Sequence, residues 1–148
     1  MILVDANLLL YAVLEGYPQH RAAKTWLDTQ LNSPIRVAMP WESLLAFFRV
    51  ATNPRLFESP LGASQAWGVI EGWLALPRVW TPVAEAGHAQ RLTKLIEGGE
   101  VRAGLVHDAH LAALAMSFGL ILCSSDGDFA RFEGLRWQNP LTPRSTER

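Results

Sequence analysis

The chain has 148 residues, 49% of them hydrophobic and 18% charged, a balance that excludes disorder, collagen-like repeats and low-complexity classes. One domain per ~150 residues makes this a single unit, long enough to bury a real core. Thirteen Lys and Arg against fourteen Asp and Glu give a formal charge of −1, which argues against a basic coat for duplex binding and leaves room for a local basic rim.

Residues 1–4 form an uninterrupted apolar run, the pattern of a strand buried on both faces of a parallel sheet. Asp5 ends it, and 7–14 reads as a helix closed near Gly16. A second helix is expected over 19–31, with Ala23, Trp26, Leu27 and Leu31 on one face, then a turn at Asn32-Ser33-Pro34 and a strand over 35–39. Pro40 suits a helix start, and that helix carries Leu44, Phe47 and Phe48 until Asn53-Pro54 stops it. After a loop at 55–62, a helix over 63–76 and a short strand over 79–81 follow. Next come a helix over 84–96 ended by Gly98-Gly99, and an amphipathic helix over 107–118 stopped by Gly119. A buried strand over 120–124, a turn of helix at 128–132 and a last strand at 135–137 complete the unit. The domain spans 1–141, and 142–148 is expected to be a flexible tail. Strands alternating with helices point to an α/β fold, a central parallel sheet flanked by helices.

Two apolar strands end in acids, Asp5 and Asp126, with Asp128 two residues on. Glu42 and Asp108 fall in the first turns of helices that follow apolar segments. With all strands parallel, these five carboxylates share one edge of the sheet, where open α/β folds bind ligands. Two carboxylates ~4 Å apart repel by ~4 kcal/mol at an effective dielectric near 20, so such a hollow calls for a cation. All-oxygen ligands select hard ions, Mg²⁺ or Mn²⁺, whose chemistry here is attack of water on a phosphodiester. Taken singly, Asp5, Glu42, Asp108 and Asp126 each fit a plainer role better, as a helix cap or a complement to the helix dipole; the convergence of four at one edge favours the site.

Five segments in this order resemble the PIN-domain ribonucleases, and among them the VapC toxins of bacterial toxin–antitoxin pairs. They are 3–12 (LVDANLLLYA), Glu42 with 47–57 (FFRVATNPRLF), 108–115 (DAHLAALA), 124–132 (SSDGDFARF), and Gly134-Leu135-Arg136-Trp137 with Pro140-Leu141. The resemblance places Asp5, Glu42, Asp108 and Asp126 on the family's acidic quartet and Asp128 on its frequent fifth acid. It implies a Mg²⁺- or Mn²⁺-dependent endoribonuclease, a homodimer, and inhibition by a small VapB-type antitoxin. Under that reading Asp5, Asp108 and Asp126 hold the metal, while Glu42 and Asp128 complete the charge or position water. Asn7 and Ser124 orient ligands or water from behind; Ser124 stands where the family usually has Thr, and Gly127 where it often has Arg. A PIN-fold nuclease acting on single-stranded or flap DNA, and a binding module without chemistry, are the alternatives.

Arg49, Arg55, Arg131 and Arg136 are candidates for a basic rim that steers a phosphate chain. His107 and His110 flank Asp108 and are candidates for phosphate contact. Trp41, Trp67, Trp73 and Trp80 are expected in the core or an interface. The lone Cys123 excludes an internal disulfide, and no apolar stretch reaches the ~20 residues of a membrane span. The chain is expected to be cytoplasmic.

Overall fold

The N-terminal apolar run becomes β1 (Ile2–Val4) in a computed structural model that describes residues 1–143. In chain order follow α1 (Ala6–Val13), α2 (His20–Leu31), β2 (Val37–Ala38), α3 (Trp41–Ala51), α4 (Ala63–Leu74) and β3 (Val79–Trp80). The second half holds α5 (His88–Gly98), α6 (Leu105–Ser117), β4 (Ile121–Cys123), a 3-10 turn (Gly127–Arg131) and β5 (Trp137–Gln138). All strand pairs are parallel, in the order β3-β2-β1-β4-β5. The expected α/β architecture, a parallel sheet flanked by helices, is what the chain forms.

Alternation along β1 assigns its side chains to two cores. Ile2 and Val4 pack with α1 to α4, among Leu8, Leu9, Leu27, Leu44, Phe47 and Ile70. Leu3 faces the other way, with Leu122, Leu95, Phe129, Phe132 and the buried residues of α6. Each fully buried Leu or Phe contributes ~1.5–3 kcal/mol relative to exposure. The central strand is therefore clamped from both faces, and its carboxyl end is a rigid platform.

Several element ends shift by one to four residues from the expected ranges, and three of these shifts have a local reason. α5 begins at His88 rather than 84, because Gly87 sits at φ 89, a left-handed turn that a continuing helix excludes. α6 begins two residues earlier than expected and is enclosed rather than amphipathic: Leu111 to Ala115 are all buried. The last strand slips to Trp137–Gln138, since Gly134 at φ 83 and the Leu135 N–H bond to the Phe132 carbonyl keep 135 in a turn. Of the expected tail, residues 144–148 lie outside the described residues; Leu141, the last residue of the expected domain, packs against the first core. Among the described residues, no helix is long and apolar enough to cross a membrane.

Candidate active site

β1 and β4 are neighbours with Val4 opposite Cys123, so Asp5 and Ser124 leave the sheet side by side. The Asp5 N–H donates to the Cys123 carbonyl at 3.0 Å. From β1 the chain builds outward to β2 and β3, then crosses back to add β4 and β5 on the opposite side. The crevice beyond β1 and β4 is thus a topological switch point, the place where such sheets bind ligands.

Ser124 is the hub behind this crevice. It is fully buried, and its hydroxyl donates to Asp5 Oδ2 at 2.8 Å. The same oxygen accepts from Asn7 Nδ2 at 3.0 Å and from the Asp126 N–H at 3.0 Å. One donor and two acceptor lone pairs are all used. Asn7 Oδ1 accepts from the Ser125 N–H at 3.5 Å, and the Trp137 indole donates to the Ser124 carbonyl at 3.1 Å. Ser124→Ala strands a part-buried amide, a carboxylate oxygen and a backbone N–H, so it is expected to cost about 1–3 kcal/mol. Ser124→Thr keeps the hydroxyl and should keep most of that stability; paired thermal melts check both.

Asp5 also caps α1, its Oδ1 accepting from the Ala6 N–H at 2.7 Å. Asp126 caps the 3-10 turn, accepting from the Asp128 N–H at 2.9 Å. The capping reading therefore holds for these two acids, and it coexists with their presence at the crevice. Glu42 and Asp108 cap nothing; they sit in the first turns of α3 and α6.

The structure brings Asp108, Asp126 and Asp128 closest, with one carboxylate oxygen from each within 4.8 Å of the others. Asp5 lies beside them, linked to Asp126 through Ser124. Burial first, and then the charges of Asp126, Asp5 and Asp128, together push the Asp108 carboxyl up to about 6, with His107 opposing. Burial likewise raises Asp5, against its hydrogen bonds from Ser124 and Ala6, and Asp126 adds repulsion. Arg131 offsets this concentration by an ion pair, its Nη2 lying 3.5 Å from Asp128 Oδ1. An excess of converging carboxylate oxygens fits a hard divalent cation. Cys123 is no candidate ligand, because burial pushes its thiol up to about 12.

Asp5, Glu42 and Asp108 also line a cavity of about 410 Å³ with His107, His110 and Arg49. Across it, His110 Nε2 lies 2.8 Å from Glu42 Oε1, and His110 Nδ1 lies 3.0 Å from His88 Nε2. This chain fixes the Glu42 carboxylate from α6 and α5. His88 has no motif around it, and its pairing depends on where α5 begins. Ser43, buried with an unpartnered hydroxyl at the cavity, carries no sequence signal either. Of the four rim arginines, Arg49 and Arg131 reach the acidic region, while Arg136 is held on the Gly119 carbonyl and Arg55 does not line the cavity. Trp73 is core, whereas Trp41 and Trp67 are exposed and stack on each other with centroids 6.4 Å apart.

The profile of the family described as PIN domain matches residues 2–135. The chain is 42% identical over 140 residues to Ribonuclease VapC37 of Mycobacterium tuberculosis, covering 95% of this chain and 97% of that one. It is 37% identical over 141 residues to Ribonuclease VapC33 of the same organism, covering 95% and 99%. In three dimensions it is similar to the crystal structure of VapBC2 from Rickettsia felis bound to a DNA fragment from their promoter. That match has a TM-score of 0.69 and 17% identity, over 94% of this chain and 98% of the other. The chain belongs to the PIN domain family and, within it, to the group of the VapC ribonucleases.

Proposed function

We propose that this chain is the toxin of a toxin–antitoxin pair, an endoribonuclease that hydrolyses RNA with Mg²⁺ or Mn²⁺ and is restrained by a VapB-type antitoxin. One observation carries the reading. Three carboxylates meet within 4.8 Å at the switch point of a parallel sheet, with a fourth, Asp5, anchored behind them. Asp108, Asp126 and Asp128 would hold the cation, and Asp5 would complete its carboxylate shell. When bound, such an ion polarises a phosphoryl oxygen and lowers the pKa of water.

The protein's own contribution is positioning. Ser124 and the Ala6 N–H hold both Asp5 oxygens, so that carboxylate does not swing. Asn7 locks Ser124 in turn. Glu42 has one oxygen held by His110, leaving the other to accept a proton from the attacking water. Water adds to phosphorus as the bond to the 3′ oxygen breaks, that oxygen takes a proton from solvent, and the products carry a 5′-phosphate and a 3′-hydroxyl.

A homodimer is part of the proposal, supported by the exposed Trp41, Leu45 and Trp67 around α3 and α4. Action in the cytoplasm, where RNA and antitoxin are found, belongs to it as well. The test is controlled expression followed by sequencing of RNA ends. New 5′-phosphate ends should accumulate at defined sites with the parent chain and not with Asp108→Asn. Ends that match in the two cultures would overturn the reading, and cuts confined to DNA would favour the DNA-directed alternative.

A further inference from the structure

A second cavity, of about 460 Å³, lies between α5, Gly98-Gly99 and the 3-10 turn, and shares no lining residue with the cavity at Asp5, Glu42 and Asp108. Its α5 wall is written at helical spacing: Gly87, Gln90, Arg91, Lys94 and Gly98. Arg131 closes the opposite side, and Glu133 is the one acid among the lining residues. Three cations against one acid make this hollow the electrostatic opposite of the carboxylate centre. Arg91 and Lys94 form no ion pair among the described residues. Arg91 Nε is moreover buried without a hydrogen-bond partner, a donor costly to leave unmatched. Arg131 joins the two regions: its Nε and Nη2 hold the Asp128 carbonyl and carboxylate, while Nη1 donates to the Gly99 carbonyl. That grip preorganises the guanidinium on the boundary between them.

We propose that this hollow is a phosphate-binding subsite for the RNA strand next to the scissile bond, with Arg91 and Lys94 as the phosphate contacts and Arg131 as the hinge to the acidic centre. The inference rests on the ribonuclease reading above and adds to it where the substrate runs. A polyanion reaching a carboxylate centre must be neutralised beside it, and a stripe of unpaired cations does that without reading sequence. The apolar lining of Leu95, Met116 and Phe132 gives the attached ribose or base a dry surface.

The test uses full-length Asp108→Asn protein, which should bind without cutting, and a fluorescently labelled single-stranded oligoribonucleotide followed by anisotropy across a salt series. In that background Lys94→Ala is expected to weaken binding several-fold and to reduce the slope of log affinity against log salt by about one. Arg91→Gln should do the same, but Arg91 is half-buried, so exposed Lys94 carries the result if the Gln variant folds poorly. Lys24→Ala, on the far helix α2, should change neither quantity. In the active protein, Lys94→Ala should raise KM and leave kcat near the parent value. Binding curves and salt slopes that superimpose on the parent overturn the subsite while leaving the nuclease reading intact. Unchanged RNA binding with weakened antitoxin binding would likewise overturn it, assigning the hollow to an acidic peptide. A parent that neither binds nor cuts RNA overturns both readings.

Discussion

Asp108→Asn is expected to abolish RNA cleavage while making the metal-free protein more stable. Asp108 is one of three carboxylates within 4.8 Å, so without a cation its charge is repelled by the neighbouring acids. Cleavage should fall by more than about 100-fold, past the 10–100-fold typical of losing a residue that merely orients a ligand. The stability gain follows from linkage. The folded-state carboxyl titrates at about 6 against an ordinary value of 3.8, so the folded protein binds this proton more tightly than the unfolded chain. Below both values the two states are equally protonated and the site costs nothing. Stability then falls as pH rises between them, and above about 6 the whole penalty is present. Replacing the acid by its amide should recover on the order of 1 kcal/mol at neutral pH, once solvent screening of this half-exposed group is allowed for. Melting curves in EDTA across that pH window check it. The parent should lose stability towards neutral pH more steeply than the variant, and Mg²⁺ should restore it. An Asn variant that melts well below the parent would mean that Asp108 is chiefly structural.

The second large effect concerns the antitoxin. Co-expression with the product of the neighbouring upstream gene should give a complex that purifies intact and does not cut RNA. An acidic hollow without its metal is a receptor for an arginine, whose fork matches a carboxylate through two parallel hydrogen bonds. An extended segment would order as it docks along α3, whose exposed Trp41 and Leu45 flank Glu42. Asp5→Asn, Glu42→Gln and Asp108→Asn should each weaken the complex. A charge-assisted hydrogen bond contributes about 1.5–3 kcal/mol, roughly a 10- to 150-fold change in Kd. Added Mg²⁺ should compete weakly, since both cations seek the same oxygens. A complex that cuts RNA as fast as the free chain would remove the toxin from the account and leave a nuclease.

How much of this was readable from residues alone depends on whether the signal was local. The apolar runs ending at Asp5 and Asp126 announced buried parallel strands, and parallel strands put their carboxyl ends on one edge. The position of all five acids near that edge followed from topology. Their grouping did not. The sequence reading assigned the metal to Asp5, Asp108 and Asp126, whereas the shortest mutual distances join Asp108 and Asp126 to Asp128. That closeness arises because the Asp126 side chain takes the Asp128 N–H and bends the chain into a 3-10 turn. The tie from Asp5 to Ser124 spans 119 positions and depends on strand register. His88 was invisible because a helix expected from 84 gives it no special place, while the left-handed Gly87 makes it the first residue of α5, within reach of His110. The enclosure of α6 was misread for a related reason. Its apolar side carries Leu111, Ala112, Leu114, Ala115 and Phe118, and Ala109 and Ala113 off that side are buried as well.

Hydrolysis of RNA by a cation held on these carboxylates is decided by a single cleavage assay. Purified parent chain, free of antitoxin, is incubated with RNA in Mg²⁺ or Mn²⁺ and in EDTA, and the ends of the products are mapped. The expected result is cleavage with the metal, none in EDTA, recovery when metal is returned, and 5′-phosphate with 3′-hydroxyl ends. Undiminished cutting in EDTA, or products ending in a 2′,3′-cyclic phosphate, would contradict it and shift the chemistry to His107 or His110.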